Sequence, residues 1–244
     1  DEALETSVKL MTSGTELMAK GRANAVVFAE DEAQLIERMQ AFAKEHEVYF
    51  FPSLLVMGDY QGPDRTKVLA IRPDGEIEYT HYKGRNPNAG YYTGEMIEFI
   101  DTPYGRIATP ICYEMEFHRL IRQTGKNGVD IIIVPGDEPS KENAVVHTEL
   151  SVLRGLENGS SVLRTTLEGL TMGIDYQGRV LSRMNYYLTQ ENKVIITELP
   201  TQGVQTLYAR WGDWFAYVCA ILLVFFVALG VWDRVGRGQQ PELS

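Results

Sequence analysis

Arg106–Phe117 reads RIATPICYEMEF, an apolar strand pattern that runs without a break into a cysteine, a tyrosine and two acidic residues. A free cysteine is most often a small buried hydrophobe, so Cys112 acquires another meaning only if the surrounding chain supports it. Just upstream, MIEFID and GRIATPI flank Pro103-Tyr104-Gly105, turn chemistry suited to a hairpin, and KVLAIRPDGEIEYTHYK uses the same device around Pro73-Asp74-Gly75. Downstream come a helix over EFHRLIRQTG, a strand in DIIIVP, a longer helix in ENAVVHTELSVLRGLENG, and strands in SVLRTT, LTMGID, RVLSRM and KVIITEL.

Toward the N-terminus, ETSVKLMTSGTELMAKGR has a helical rhythm of apolar residues, interrupted near Gly14, and reads as an amphipathic helix. AVVF reads as a short strand. EAQLIERMQAFAKEHE places Leu35, Ile36, Met39, Phe42 and Ala43 on one helical face, and VYFFPSLLV reads as a second buried strand. Strands and helices alternate with hairpins inserted, a pattern met by mixed sheets covered with helices, so the fold class is α/β or α+β.

Three polar residues stand at the ends of apolar strands: Glu30 after AVVFA, Lys83 after EIEYTHY and Cys112 after RIATPI. Strand ends at an open sheet edge are where helix-covered folds collect reactive groups. The chemistry is complementary. A thiol becomes a strong nucleophile when a base takes its proton and a cation holds the resulting charge. Glu30 suits the base, and the Lys83 ammonium suits the thiolate and the oxyanion of an attacked carbonyl. Each residue also has a structural explanation: Glu30 as a helix N-terminal carboxylate, Lys83 as a solvated strand-end charge, Glu114 and Glu116 as the acidic first turn of a helix. Rival chemistries lack their motifs. His46, His81, His118 and His147 show no HExxH or CxxC companion, so no metal or other cofactor is expected, and there is no GxSxG elbow, Walker loop or GxGxxG. A Cys112–His147 dyad is the remaining alternative for activating the thiol.

AVVFAE, Tyr82-Lys83 and ICYE, with PDGEI, DTPYGRI, GVDIIIVP, LRGLENG and YQGRVL following in order, resemble the Glu-Lys-Cys motifs of the nitrilase, or carbon-nitrogen hydrolase, superfamily. The resemblance implies a four-layer α-β-β-α sandwich, with Glu30 as general base, Lys83 as oxyanion-stabilising lysine, Cys112 as nucleophile, and Tyr113 and Glu114 as neighbouring support. ICYE and the tail LYARWGDW ahead of an apolar run are similar to the superfamily's membrane branch, the apolipoprotein N-acyltransferases. That branch implies a phospholipid acyl donor, a lipoprotein acyl acceptor, and a catalytic domain on the periplasmic side of the bacterial inner membrane. The pattern departs in three places: Ala29 replaces a proline, PGDEPS replaces a tryptophan-bearing segment, and the family's second glutamate is not cleanly present, Tyr91 standing in its place with Glu95 as the candidate substitute.

The apolar run WFAYVCAILLVFFVALGVW (Trp214–Trp232) carries no charge and as a helix would be roughly 28 Å long, close to the thickness of a bilayer's hydrocarbon. Trp211, Trp214 and Tyr217 cluster at one end and Trp232 stands at the other, as at membrane interfaces, and Arg234 and Arg237 beyond it point the short tail toward the cytoplasm. The structural alternative is a buried core helix. The organisation expected is a catalytic domain over 1–209 that lacks its first strand, a juxtamembrane and transmembrane helix over 210–232, and a cytoplasmic tail over 233–244. The net charge of −10 and the absence of a basic cluster argue against nucleic acid as a partner. The activity expected is transfer of a fatty acyl chain through a Cys112 thioester to the N-terminal amine of a lipoprotein. The alternative is a membrane-tethered amidase using the same three residues, or a catalytically inert module of the same fold.

Overall fold

The computed structural model describes residues 17–19, 25–58, 65–84, 96–138, 140–185, 187–188 and 194–237. In chain order these hold β1 (Leu17–Ala19), β2 (Ala25–Phe28), α1 (Glu32–Glu45), β3 (Tyr49–Phe51), β4 (Ser53–Met57), β5 (Arg65–Ile71) and β6 (Ile77–Tyr82). There follow β7 (Phe99–Thr102), β8 (Gly105–Ala108), a 3-10 turn (Cys112–Glu116), α2 (His118–Lys126), β9 (Ile131–Gly136), α3 (Lys141–Asn158), β10 (Ser161–Thr166), β11 (Leu170–Ile174) and β12 (Val180–Asn185). The chain then forms α4 (Leu207–Trp211) and α5 (Trp214–Arg237).

Two sheets form. In the first, β3 and β4 lie along one side of β5 and β6 along the other, with β1 pairing β3 and β2 pairing β4. The second runs β12-β11-β10-β9-β8-β7. Side-chain alternation along single strands explains the layering. Val68 and Ala70 of β5 meet Ile131 and Ile133 of β9 between the sheets, while Leu69 and Ile71 turn the other way, onto Met39, Phe42 and Ala43 of α1. On β9, Ile132 and Val134 likewise face outward, into a cluster with Leu120 and Ile121 of α2. Helix, sheet, sheet, helix is the resulting order, the four-layer sandwich expected.

Three expectations change. Leu17–Ala19 is a strand parallel to β3, not part of a helix, because its backbone completes the sheet beside Tyr49–Phe51; the rest of that segment lies outside the described residues. VYFFPSLLV is two strands, since Pro52 has no N–H to give the ladder, although its carbonyl still accepts from the Leu69 N–H at 3.1 Å. The stretch 194–200 forms no strand despite its alternating pattern; Thr197 instead packs over Gly173, where any Cβ would come within 2.5 Å of its Oγ1.

Helix α5 is the one helix among the described residues long and apolar enough to cross a membrane, with a mean hydropathy of 2.6 over the window and none of it buried. Phe215, Leu223 and Phe226 are exposed, so the buried-core alternative is set aside. The helix does not leave the domain loosely. Arg122 of α2 donates from Nε to the Tyr208 and Ala209 carbonyls at 3.0 and 3.1 Å and from Nη2 to the Arg210 carbonyl at 3.0 Å, serving the carbonyls at the end of α4, of which Tyr208 also accepts the Gly212 N–H at 2.7 Å. Gly212, at φ 64°, turns the chain into α5 directly over that guanidinium.

Candidate active site

After β8, residues 109–111 bring the chain to Cys112, which adopts φ 48°. This left-handed conformation is unfavourable for a residue with a side chain by about 1–2 kcal/mol and persists only where the surroundings enforce it. Glu114 enforces it. Its carboxylate is buried, with Oε2 accepting the Ile111 N–H at 2.6 Å and lying 2.9 Å from His81 Nε2, while Oε1 accepts the Gly84 N–H at 2.8 Å. Because an ionised carboxylate only accepts, the His81 ring presents its Nε2 proton there. One buried anion therefore closes the cysteine turn on itself and ties it to the end of β6. Tyr113 stacks edge-on against Phe117 at 5.4 Å and packs on the inter-sheet cluster.

Lys83 immediately follows β6, is buried, and donates its backbone N–H to the Thr66 carbonyl at 2.9 Å. The structure thus brings the Lys83–Gly84 backbone and the Cys112 turn to opposite sides of the Glu114 carboxylate. Glu30 is placed differently. It sits in the turn beyond β2 and is exposed, while the neighbouring Glu32 turns back onto the sheet to pair with Lys67 and Arg65. β2, β4 and β6 all run the same way, so Glu30 and Lys83 leave the same sheet edge; β4 and β5 intervene, which sets β2 and β6 roughly 14 Å apart. Glu95 lies outside the described residues.

The sulfur has a neighbour the motifs did not identify. Cys112 Sγ donates to Glu138 Oε1 at 3.8 Å, and Glu138, just past β9, is only 2% exposed. The same oxygen is ion-paired with Nη2 of Arg164 on β10, a guanidinium with no exposed surface. Arg164 Nη1 donates to Ser151 Oγ at 3.2 Å. Burial pulls the arginine's pKa down from its usual range; the Glu138 carboxylate opposes that pull, and a thiolate formed at Cys112 would oppose it too. His147 does not form a dyad with the thiol. Its Nδ1 is 2.7 Å from Glu138 Oε2 and its Nε2 is 2.9 Å from Glu116 Oε1.

Two glycines make room for this network. A Cβ on Gly136 would come within 3.2 Å of Arg164 Nη2, and one on Gly169, at φ 120°, within 3.1 Å of Glu138 Cβ. The sequence did hold a signal: SVLRTT puts an arginine inside a segment that reads as a strand of the core sheet, and a buried cation demands an anion. Among the described residues no group of three His, Cys, Asp or Glu side chains is set to hold a metal ion.

Comparison with known proteins agrees with this architecture. The family model described as Carbon-nitrogen hydrolase matches residues 13–209. The chain is similar to Apolipoprotein N-acyltransferase 1 of Treponema denticola, 33% identical over 150 residues that make up 59% of this chain and 26% of that protein. It is also similar to the apolipoprotein N-acyltransferase of a Nostoc species, 30% identical over 152 residues, or 62% of this chain and 30% of that protein. The chain therefore spans less than a third of the length of either relative. Among solved structures, a mutant of the amidase from Nesterenkonia sp. AN1, with the acetamide moiety of fluoroacetamide added at its active-site cysteine, aligns with a TM-score of 0.64 at 17% identity, covering 76% of this chain and 79% of that one. A Saccharomyces cerevisiae member of branch 10 of the nitrilase superfamily aligns at 0.65 and 16% identity, over 75% and 78% of the two chains. At such identities the likeness is one of fold.

Proposed function

This chain belongs to the carbon-nitrogen hydrolase family, and from that premise we propose that it is the catalytic part of a membrane-bound N-acyltransferase, with Cys112 as nucleophile, Lys83 as oxyanion-stabilising cation and Glu30 as general base. The observation that carries the reading is the Glu114 carboxylate, which holds the strained Cys112 turn and the Lys83–Gly84 strand end together. A domain clamped to a helix long and apolar enough to cross a membrane supports lipid substrates over soluble ones, and so do the relatives' names.

In the first half-reaction the Cys112 S–H bond breaks, its proton passes to Glu30, and the sulfur attacks the ester carbonyl of a phospholipid. Lys83 holds the oxyanion, and the departing lysophospholipid alkoxide takes the proton back from Glu30, leaving a thioester. In the second, the terminal amine of a lipoprotein attacks the thioester, gives its proton to Glu30, and displaces the Cys112 thiolate as the amide forms. Glu30 then returns the proton to the sulfur. Confining both lipids to the membrane beside the site replaces a search through solution by one in two dimensions. The domain would face the periplasm, with the tail beyond α5 in the cytoplasm.

Full-length protein incubated in vesicles with acyl-labelled phospholipid should retain label as a hydroxylamine-sensitive thioester, absent from Cys112→Ala. Release of ammonia from small amides with no lipid-dependent label would instead make the protein a membrane-tethered amidase. A folded protein giving neither product would be a non-enzymatic module of the same fold.

A further inference from the structure

We propose that Glu138 is a positioning residue that aims the Cys112 thiol and keeps it protonated at rest. The inference rests on Cys112 being the nucleophile, and it adds a residue outside the Glu30, Lys83 and Cys112 set. The geometry comes first. The S–H points at Glu138 Oε1, 3.8 Å away. That carboxylate cannot swing aside, because each oxygen is held: Oε1 by the buried Arg164 guanidinium and Oε2 by His147 at 2.7 Å. The Tyr187 hydroxyl donates to the Glu138 backbone carbonyl at 2.6 Å, which fixes the residue's main chain as well.

The electrostatic consequence follows from sign alone. A carboxylate beside a thiol accepts a hydrogen bond from its neutral form and repels its anion, so both effects favour S–H over S⁻. Arg164 pulls the other way, but its closest contact is spent on Glu138. Among the described residues, the other charged groups on the elements that build the site are Glu114 and Glu116 on the cysteine's own turn, His81 and Lys83 at the end of β6, Asp137 beside Glu138, and His147 on α3 behind Glu138. Among the described residues Glu138 is the carboxylate in hydrogen-bonding range of the sulfur, so its removal changes the balance most. At rest the thiol is held in one rotamer and unreactive. When an acyl donor arrives, the Glu30 carboxylate and the Lys83 ammonium draw the proton and the developing charge away from Glu138. Arg164 is then placed to share the new thiolate, since its charge is felt by both groups.

The test is the pH profile of Cys112 alkylation by iodoacetamide in the full-length protein, carried out in a Cys219→Ser background so that Cys112 is the thiol followed. Glu138→Gln removes the negative charge and leaves Arg164 facing the sulfur. The alkylation midpoint should therefore fall by about one pH unit or more, with the rate at pH 6 rising roughly tenfold. A folded Glu138→Gln protein whose midpoint is unchanged or higher overturns the proposal. If that variant fails to fold, Glu138→Asp keeps the charge but withdraws it by one methylene. The midpoint should then fall by a smaller amount, and an unmoved midpoint is equally fatal. Alkylation makes no use of an acyl donor, so a protein that forms no thioester but shows the shifted midpoint would remove the acyl-transfer reading and leave this one intact.

Discussion

The two sheets contribute to the site in opposite ways. The first offers an open edge: Val26 and Phe28 on β2 are 57% and 58% exposed, and Glu30 stands in the exposed turn beyond them. The second offers a sealed charge network, with Glu138 and Arg164 buried beside a cysteine that is 6% exposed. The difference separates two physical tasks. Groups that must keep a fixed geometry sit where water cannot compete and where each charge, if left unpaired, is expensive. Glu30, the proposed proton acceptor, stays at the wet edge, where a charge is cheap and a side chain can move. Variants in the sealed half should therefore be read first in stability, and variants at the open edge first in turnover.

The largest effect is expected from Arg164→Met. The arginine has no exposed surface, and its loss strands the Glu138 carboxylate in the interior. Breaking such a pair from one side costs about 3–5 kcal/mol, which for a domain of this size lowers the melting temperature by roughly 10 °C. Thermal denaturation followed by circular dichroism checks this. A variant that melts like the parent would mean that Glu138 is not committed to this cation. Glu114→Ala comes next. It leaves the Ile111 and Gly84 N–H groups and His81 without their shared acceptor, a loss of about 2–3 kcal/mol. Because this carboxylate is what joins the two sheets at the site, thioester formation should fall by roughly a hundredfold beyond the loss of folded protein.

The unequal legibility of the two halves has the same origin. β2 and β8 announce themselves because an apolar strand runs into a reactive side chain, at Glu30 and Cys112, and β6 because an alternating hairpin strand ends at Lys83. The four layers are implied by the family resemblance and not by the pattern: Val68 to Ile71 is one continuous apolar run, and only the fold divides it between the other sheet and α1. Glu138 stands just past β9 and Arg164 within β10, neighbouring parallel strands joined through α3, and only the register of β9 on β10 brings them together. Nothing local in PGDEPS says that its glutamate will be buried. The short strand at Leu17–Ala19 was hidden for a related reason: its pairing with β3 is parallel and distant in sequence, whereas the apolar spacing around it mimics a helix.

Gly136→Ala sharpens the contrast at smaller amplitude. The added methyl would sit 3.2 Å from Arg164 Nη2 and 3.3 Å from Thr166 Cγ2, tight enough to displace the guanidinium without removing it. A cost of about 1–2 kcal/mol is expected, and the Cys112 alkylation profile should shift as the Arg164–Glu138 pair loosens. An unperturbed melting curve would show that the buried network has slack that the 3.2 Å approach does not suggest.

The smallest effect on stability belongs to Glu30→Gln, and there the comparison is most exposed to refutation. Glu30 is a solvent-exposed turn residue, and losing its charge should change the unfolding free energy by no more than about 0.5 kcal/mol. If Glu30 is the base that serves the acyl acceptor, turnover measured with labelled phospholipid and a lipoprotein peptide should nonetheless drop by roughly a hundredfold or more. The two readouts must part company. A variant that loses stability in proportion to activity would mean that the open edge is part of the sealed half after all. A variant that keeps both would place the base at a residue other than Glu30.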